Sequence, residues 1–171
     1  LLLRRWREAD RAPFAALNAD PAVMEFFPAV MSRQQSDHMV DRIEGGFERN
    51  GYGLWALEVV STGQFIGFTG LSVPNFVAHF TPAVEVGWRL VRSAWGQGYA
   101  SEAAREALRD GFERAGLTEI VSFTSSINRR SQAVMERIGM TRDPAEDFDH
   151  PNLPPDHRLL RHVLYRIARQ T

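Results

Sequence analysis

The chain has 171 residues, 44% apolar and 24% charged, a balance that fits one folded domain, spanning 1–171, with a sizeable core. Its formal net charge of −1 gives no bulk attraction to nucleic acid or an anionic membrane, and no apolar run approaches the roughly 20 residues of a membrane span. Without cysteine there is no disulfide, thiolate metal site or cysteine nucleophile, and because arginine supplies all 20 basic side chains there is no catalytic lysine either.

Leu1 to Arg7 reads as a strand broken by charge. A helical pattern begins at Asp10 and runs through Leu17, and Asp20-Pro21 is expected to restart a short helix with Val23, Met24, Phe26 and Phe27 on its apolar side, stopped by Pro28. Ser32 with Gln35 three residues on is a capping-box signature for a further helix, which carries Met39, Val40, Ile43 and Phe47 on one face and closes at Asn50-Gly51. Two strand patterns, Tyr52 to Val60 and Gln64 to Val73, are joined by the hairpin signal Ser61-Thr62-Gly63. After a loop from Pro74 to Pro82, Val84 to Val91 reads as a strand, and the region from Gly98 to Ala115 as a helix with alanines at three- and four-residue steps, ended by Gly116. Glu119 to Ser125 is a strand. Asn128 caps a short helix that ends at Gly139. Met140 to Arg142 starts another strand, a proline-rich loop spans Asp143 to about Arg161, and His162 to Ile167 is the last strand.

The most informative segment is Trp95-Gly96-Gln97-Gly98-Tyr99-Ala100-Ser101. A strand, a glycine turn and a helix follow in that order, so several free backbone N–H groups gather at the positive end of a helix. Such an end accepts anions, phosphate above all. Gly96 and Gly98 let the chain bend and let a phosphate approach without meeting a Cβ.

Glu85-Val86-Gly87-Trp88, followed by Trp95-Gly96-Gln97-Gly98-Tyr99-Ala100, and then Asn128-Arg129-Arg130-Ser131 with Met135-Glu136-Arg137-Ile138-Gly139-Met140, resemble the GCN5-related N-acetyltransferase (GNAT) superfamily over nearly the whole chain. The resemblance is to the branch that acetylates the N-terminal amine of ribosomal proteins. It implies an α/β (α+β) GNAT fold: a mixed, mostly antiparallel twisted sheet, flanked by helices, whose central strands splay apart around acetyl-CoA. It also implies that the backbone of Gly96, Gln97, Gly98, Tyr99, Ala100 and Ser101 holds the CoA pyrophosphate, that backbone groups of Trp88, Arg89 and Leu90 pair with the pantetheine arm, and that Asn128 fixes that arm from the other side. Many relatives carry a tyrosine where Met135 stands, as proton donor to the leaving thiolate; in the ribosomal-protein branch a serine takes that part, and Ser131 occupies its place.

The mechanism expected is direct attack by a primary amine, a protein N-terminus or a small-molecule amine, in a ternary complex with acetyl-CoA as co-substrate and no metal. Glu85 is the candidate general base, a backbone N–H near Leu90 the oxyanion donor, and Ser131 the partner of the CoA sulfur. Phe26 and Phe27 are expected to line the acceptor site, with His162 or Tyr165 reaching in from the last strand. Asp147, Asp149, His150, His157 and His162 match no metal-site spacing. Glu85 has a second reading as the ion-pair partner of an arginine across the sheet, and Asn128 as a helix cap alone. Two other functions stay open: a non-catalytic acyl-CoA sensor, and a transferase using another donor such as succinyl-CoA, whose carboxylate an arginine could read. A cytoplasmic monomer or homodimer is expected.

Overall fold

A computed structural model describes residues 1–170. Strand β1 (Leu2–Arg4) leads through a 3₁₀ turn into helix α1 (Arg11–Ala19). Asp10 does not cap that helix. Its carboxylate takes two hydrogen bonds from Arg4, at 2.7 and 2.8 Å, and one from the Arg7 N–H, tying the first strand to the helix start.

Helix α2 (Arg33–Asn50) begins with the capping box of Ser32 and Gln35, and ends at Gly51 in the left-handed conformation. Between α1 and α2 the structure corrects the sequence reading. Residues 21–27 form successive turns rather than a helix, with bonds from Met24 N–H to the Asp20 carbonyl and from Phe27 N–H to the Met24 carbonyl. Asp20 Oδ1 accepts from the Ala22 N–H, a local alternative to helical pairing. The next strands are β2 (Leu54–Val59), β3 (Gln64–Ser72) and β4 (Glu85–Leu90), followed by helix α3 (Tyr99–Glu113), β5 (Glu119–Ser125) and helix α4 (Arg129–Arg137). Short strand β6 (Thr141–Arg142) precedes a segment read from sequence as loop alone. That segment instead holds a 3₁₀ turn and a two-residue strand, β7 (Phe148–Asp149), before the final strand β8 (Arg161–Ala168).

The strands form one sheet in the order β1-β2-β3-β4-β5-β8-β6, with β7 also pairing on β8. Every pairing is antiparallel except β4 with β5, which is parallel and has a single register pair, Glu85 with Val121. Beyond that pair the two strands diverge, and the opening between them is the central feature of the molecule.

Alternation along the strands sends side chains to two cores. One, against α3 and α4, gathers Leu71, Val86, Ala104, Ala107, Ile120, Met135, Val163 and Tyr165. The other, on the α1 side, gathers Phe14, Leu17, Val40, Ala56, Phe65 and Phe68. Phe76, Phe80, Phe123 and Phe148 form an aromatic cluster with Val121 and Leu164.

Candidate active site

The divergence of β4 from β5 opens a cavity of about 930 Å³ that passes between the two strands. The direction of each β4 backbone group follows from its neighbours. Gly87 accepts from the Thr69 hydroxyl on β3, and the Val91 N–H donates to Ile66, so odd-numbered groups face β3. Val84 accepts from the Val121 N–H, and Val86 from the Ser122 hydroxyl, so even-numbered groups face the opening. Trp88 and the Leu90 N–H therefore present unpaired backbone to the cavity, as an edge strand would. The Arg89 backbone faces β3 instead, where Arg89 registers with Phe68. Of the three residues expected to pair with the pantetheine arm, Arg89 reaches the cavity through its side chain only.

At one end of the cavity stands the α3 N-terminus. Gly96 has φ 75° and Gly98 φ 81°, the left-handed region, and a Cβ at either would meet open space. The first helical bond runs from the Glu102 N–H to the Gly98 carbonyl, so the N–H groups of Tyr99, Ala100 and Ser101 have no backbone acceptor. Gly96, Gly98, Tyr99, Ala100 and Ser101 all line the cavity, but Gln97 does not; its Nε2 donates to the Ser93 carbonyl at 3.0 Å.

Two arginines that sequence reasoning did not single out also reach this end. Arg137 donates from Nη1 to the Ser101 hydroxyl at 3.2 Å. Arg130 lies 4.3 Å from the Trp95 ring centre and pairs with Glu25 at 3.0 Å, bridging α4 to the turns that precede α2. Both stand inside the segments that carry the family resemblance, but their place beside the glycine turn follows only from folding, which brings α4 against it.

Glu85, at the start of β4, also lines the cavity. Among the described residues it has no ion-pair or hydrogen-bond partner, so the alternative of an arginine pairing across the sheet does not hold. Its Oε1 lies 3.7 Å from where a Cβ on Gly87 would stand, so the carboxyl leans along the strand over that glycine. Removal from bulk water pushes the Glu85 carboxyl up to about 8. Asn128 and Ser131 line the same cavity from α4 and its cap. Asn128 Oδ1 caps the helix by accepting from the Ser131 N–H at 3.2 Å, and Nδ2 donates to Thr124 Oγ1 at 2.9 Å, leaving one amide hydrogen for a ligand. The capping reading of Asn128 is thus met in the structure.

Another part of the cavity wall is apolar and aromatic, and it approaches the glycine turn through Arg130, which lies 5.8 Å from the Phe26 ring centre. Phe26, Phe27, Phe123, Leu153 and His162 form this part. His162 is buried, its Nδ1 3.1 Å from the Leu160 carbonyl, and burial holds its imidazole down to about 4. Tyr165 is not in the cavity wall. Three residues beyond His162 on the same strand, it falls on the opposite face, packs in the α3–α4 core and donates to Glu136 at 3.0 Å. That period-two parity, visible in the sequence, already separates the two residues.

The family profile for the acetyltransferase (GNAT) domain matches residues 1–141. An uncharacterized Bacillus subtilis protein, YkkB, is 33% identical over 139 residues, which covers 81% of this chain and 80% of that protein. The FsC-acetyl coenzyme A-N(2)-transacetylase of Aspergillus fumigatus is 37% identical over 124 residues, 70% of this chain, and the match takes in about half, 52%, of its length. An acetyltransferase crystal structure from Agrobacterium tumefaciens superposes with a TM-score of 0.78 at 28% identity, covering 98% of this chain and 90% of its own. A ribosomal-protein-S5-alanine acetyltransferase from Vibrio fischeri shares the fold, with a TM-score of 0.76 at 15% identity over 97% of this chain and 91% of its own. The ribosomal-protein branch is thus one of several structural neighbours, and the resemblance to it extends to the fold.

Proposed function

The chain belongs to the acetyltransferase (GNAT) family, and from that premise we propose that residues 1–171 act as one domain that transfers the acetyl group of acetyl-CoA to a primary amine by direct attack. The observation that carries this reading is the run of open N–H groups at the α3 N-terminus, set in the wall of a cavity that is also lined by an unpaired carboxyl. Backbone N–H groups from Gly96 to Ser101 would bind the pyrophosphate, with Arg137 beside them. A helix terminus alone contributes only about 0.3–1 kcal/mol toward a charge, so converging hydrogen bonds supply most of the grip. The open backbone of Trp88 and Leu90 would pair with the pantetheine arm, and the remaining Asn128 amide hydrogen would reach it from the other side.

Glu85 takes the proton that the amine loses as it attacks the thioester carbonyl. A carboxyl that titrates near 8 can hold that proton at neutral pH, whereas an ordinary carboxylate is too weak a base. The Trp88 N–H, the open β4 amide nearer Glu85 than the Leu90 N–H expected from the sequence, supports the negative charge developing on the carbonyl oxygen, leaving the Trp88 carbonyl and the Leu90 N–H to the pantetheine arm, and the Ser131 hydroxyl donates to the departing sulfur. The acceptor enters past the apolar wall of Phe26, Phe27 and His162. Small-molecule amines and protein N-termini both suit this reading.

Calorimetry with CoA, followed by thiol release from acetyl-CoA across a panel of small amines and peptides with free N-termini, tests the proposal. Binding with turnover of at least one amine is the expected result. Tight binding with no turnover would make the protein an acyl-CoA sensor, and absence of binding by folded protein would remove the acyl-transfer reading entirely.

A further inference from the structure

Arg89 is the one cavity-lining cation in a buried position, at 8% exposure, and among the described residues no carboxylate lies within 4.0 Å of it. Its recorded polar partners are the neutral Asn18 Oδ1, at 2.6 Å from Nη1, and the sulfurs of Met31 and Met39 at 3.9 and 4.0 Å. Its Nε has no partner. The guanidinium lies 4.1 Å from the Phe27 ring centre and 5.4 Å from that of Phe68, a box that orients the planar group without neutralising it. A buried charge left without a counter-ion is costly, so a fold that keeps one in a cavity wall keeps it ready for an anion. Glu85 and Arg89 point to the same face of β4, with Gly87 between them leaving the intervening surface bare. Four residues of strand set their Cα atoms about 13 Å apart, and the side chains occupy the two ends of that span.

Resting on the acyl-transfer reading above, we propose that Arg89 is a specificity-determining residue that binds a carboxylate carried by one of the two substrates. Either the amine acceptor bears an acid group, or the acyl chain of the donor does. The chemistry at Arg89 is the same in both cases: a charge-assisted hydrogen bond from the guanidinium edge that lines the cavity to a carboxylate oxygen, which restores the missing counter-charge.

Two measurements on the intact chain test this. The first is thermal stability with β-alanine, propionate and succinate against the amides of the same acids. The acids should raise the melting temperature of the wild type, the amides should not, and Arg89→Met should lose the acid effect. Arg89→Lys, which retains charge without the planar fork, should recover part of it. The second is thiol release in two arms: amino acids against their amides with acetyl-CoA, and succinyl-CoA against acetyl-CoA with one neutral amine. In the arm that carries the carboxylate, the wild type should prefer the acid by roughly 10- to 100-fold, and Arg89→Met should abolish that preference. Equal melting shifts for acids and amides, or preferences unchanged by Arg89→Met in both arms, would overturn the proposal. Turnover of neutral amines by the wild type keeps the acyl-transfer reading standing whatever happens to this one. If no amine is turned over, the melting comparison alone decides the role of Arg89.

Discussion

Replacing Glu85 by Gln removes one titrating proton while nearly preserving volume. The Glu85 carboxyl ordinarily titrates at 4.5 and is pushed to about 8 by burial. The folded chain therefore holds this proton more tightly than the unfolded chain by up to about 5 kcal/mol. Water entering the cavity screens the carboxylate and lowers that ceiling. The sign follows from proton counting. Between pH 4.5 and about 8 the unfolded chain has released a proton that the folded chain still keeps, so stability falls as pH rises through this window and levels off above it. Glu85→Gln should flatten that fall, gaining on the wild type steadily from pH 5 to pH 8 in melting experiments. In turnover the same substitution should cost roughly 10²–10⁴-fold in kcat if Glu85 is the base. It should also erase the rise in wild-type rate below pH 8, where each pH unit frees about tenfold more base. Thiol release and melting temperature measured on both proteins across pH 5–9 check the two effects separately. Should the variant keep the wild-type kcat and pH–rate profile, the general-base assignment is refuted; should its melting profile match as well, so is the burial argument beneath it.

Gly98→Ala places a Cβ at φ 81° in otherwise open space, so it should cost about 1 kcal/mol of stability from backbone strain. Its effect on CoA affinity, read by calorimetry, should be larger, about tenfold or more, and affinity equal to the wild type would mean that the phosphate lies elsewhere. Ser131→Ala leaves the backbone N–H that Asn128 caps in place, so melting should barely move while kcat falls and the acceptor KM stays constant; an unchanged kcat removes the sulfur role. His162→Phe concerns a ring held at about 4 against an ordinary 6.5. Between those values the unfolded chain takes up a proton that the folded chain refuses, so wild-type stability should fall by up to about 3 kcal/mol as pH drops from 6.5 to 4. The phenylalanine variant should lose that acid-side slope, and an unaltered slope would place the responsible group elsewhere.

Local chemistry was legible in the sequence wherever a few neighbouring residues decide the outcome. The Ser32–Gln35 capping box, the helix stop at Asn50-Gly51 and the glycine turn before α3 were all readable, and all are present. Residues 21–27 misled because Pro21 and the spacing of Val23, Met24 and Phe27 satisfy a helical pattern. Tertiary contacts draw Phe26 toward Arg130 and Phe27 toward Arg89 instead. β7 escaped notice because two residues carry no periodicity, and its pairing on β8 is a long-range event. For the candidate site, the sequence marked the residues that β4, the glycine turn and the α4 cap deliver. It could not mark Arg137, or the uncompensated burial of Arg89, because both depend on where distant helices and turns pack. Tyr165 was a parity error, not a missing signal.

The lone register pair of Glu85 with Val121 has a mechanical meaning. It divides the sheet into two leaves, β1 to β4 and β5 to β8, stitched at one rung of the ladder and otherwise held by helices packed across the seam. A molecule that threads the seam and bonds to the exposed amides of β4 would serve as keystone, so part of its binding energy becomes cohesion of the whole fold. Amide hydrogen exchange at Trp88 and Leu90 should then report loading directly.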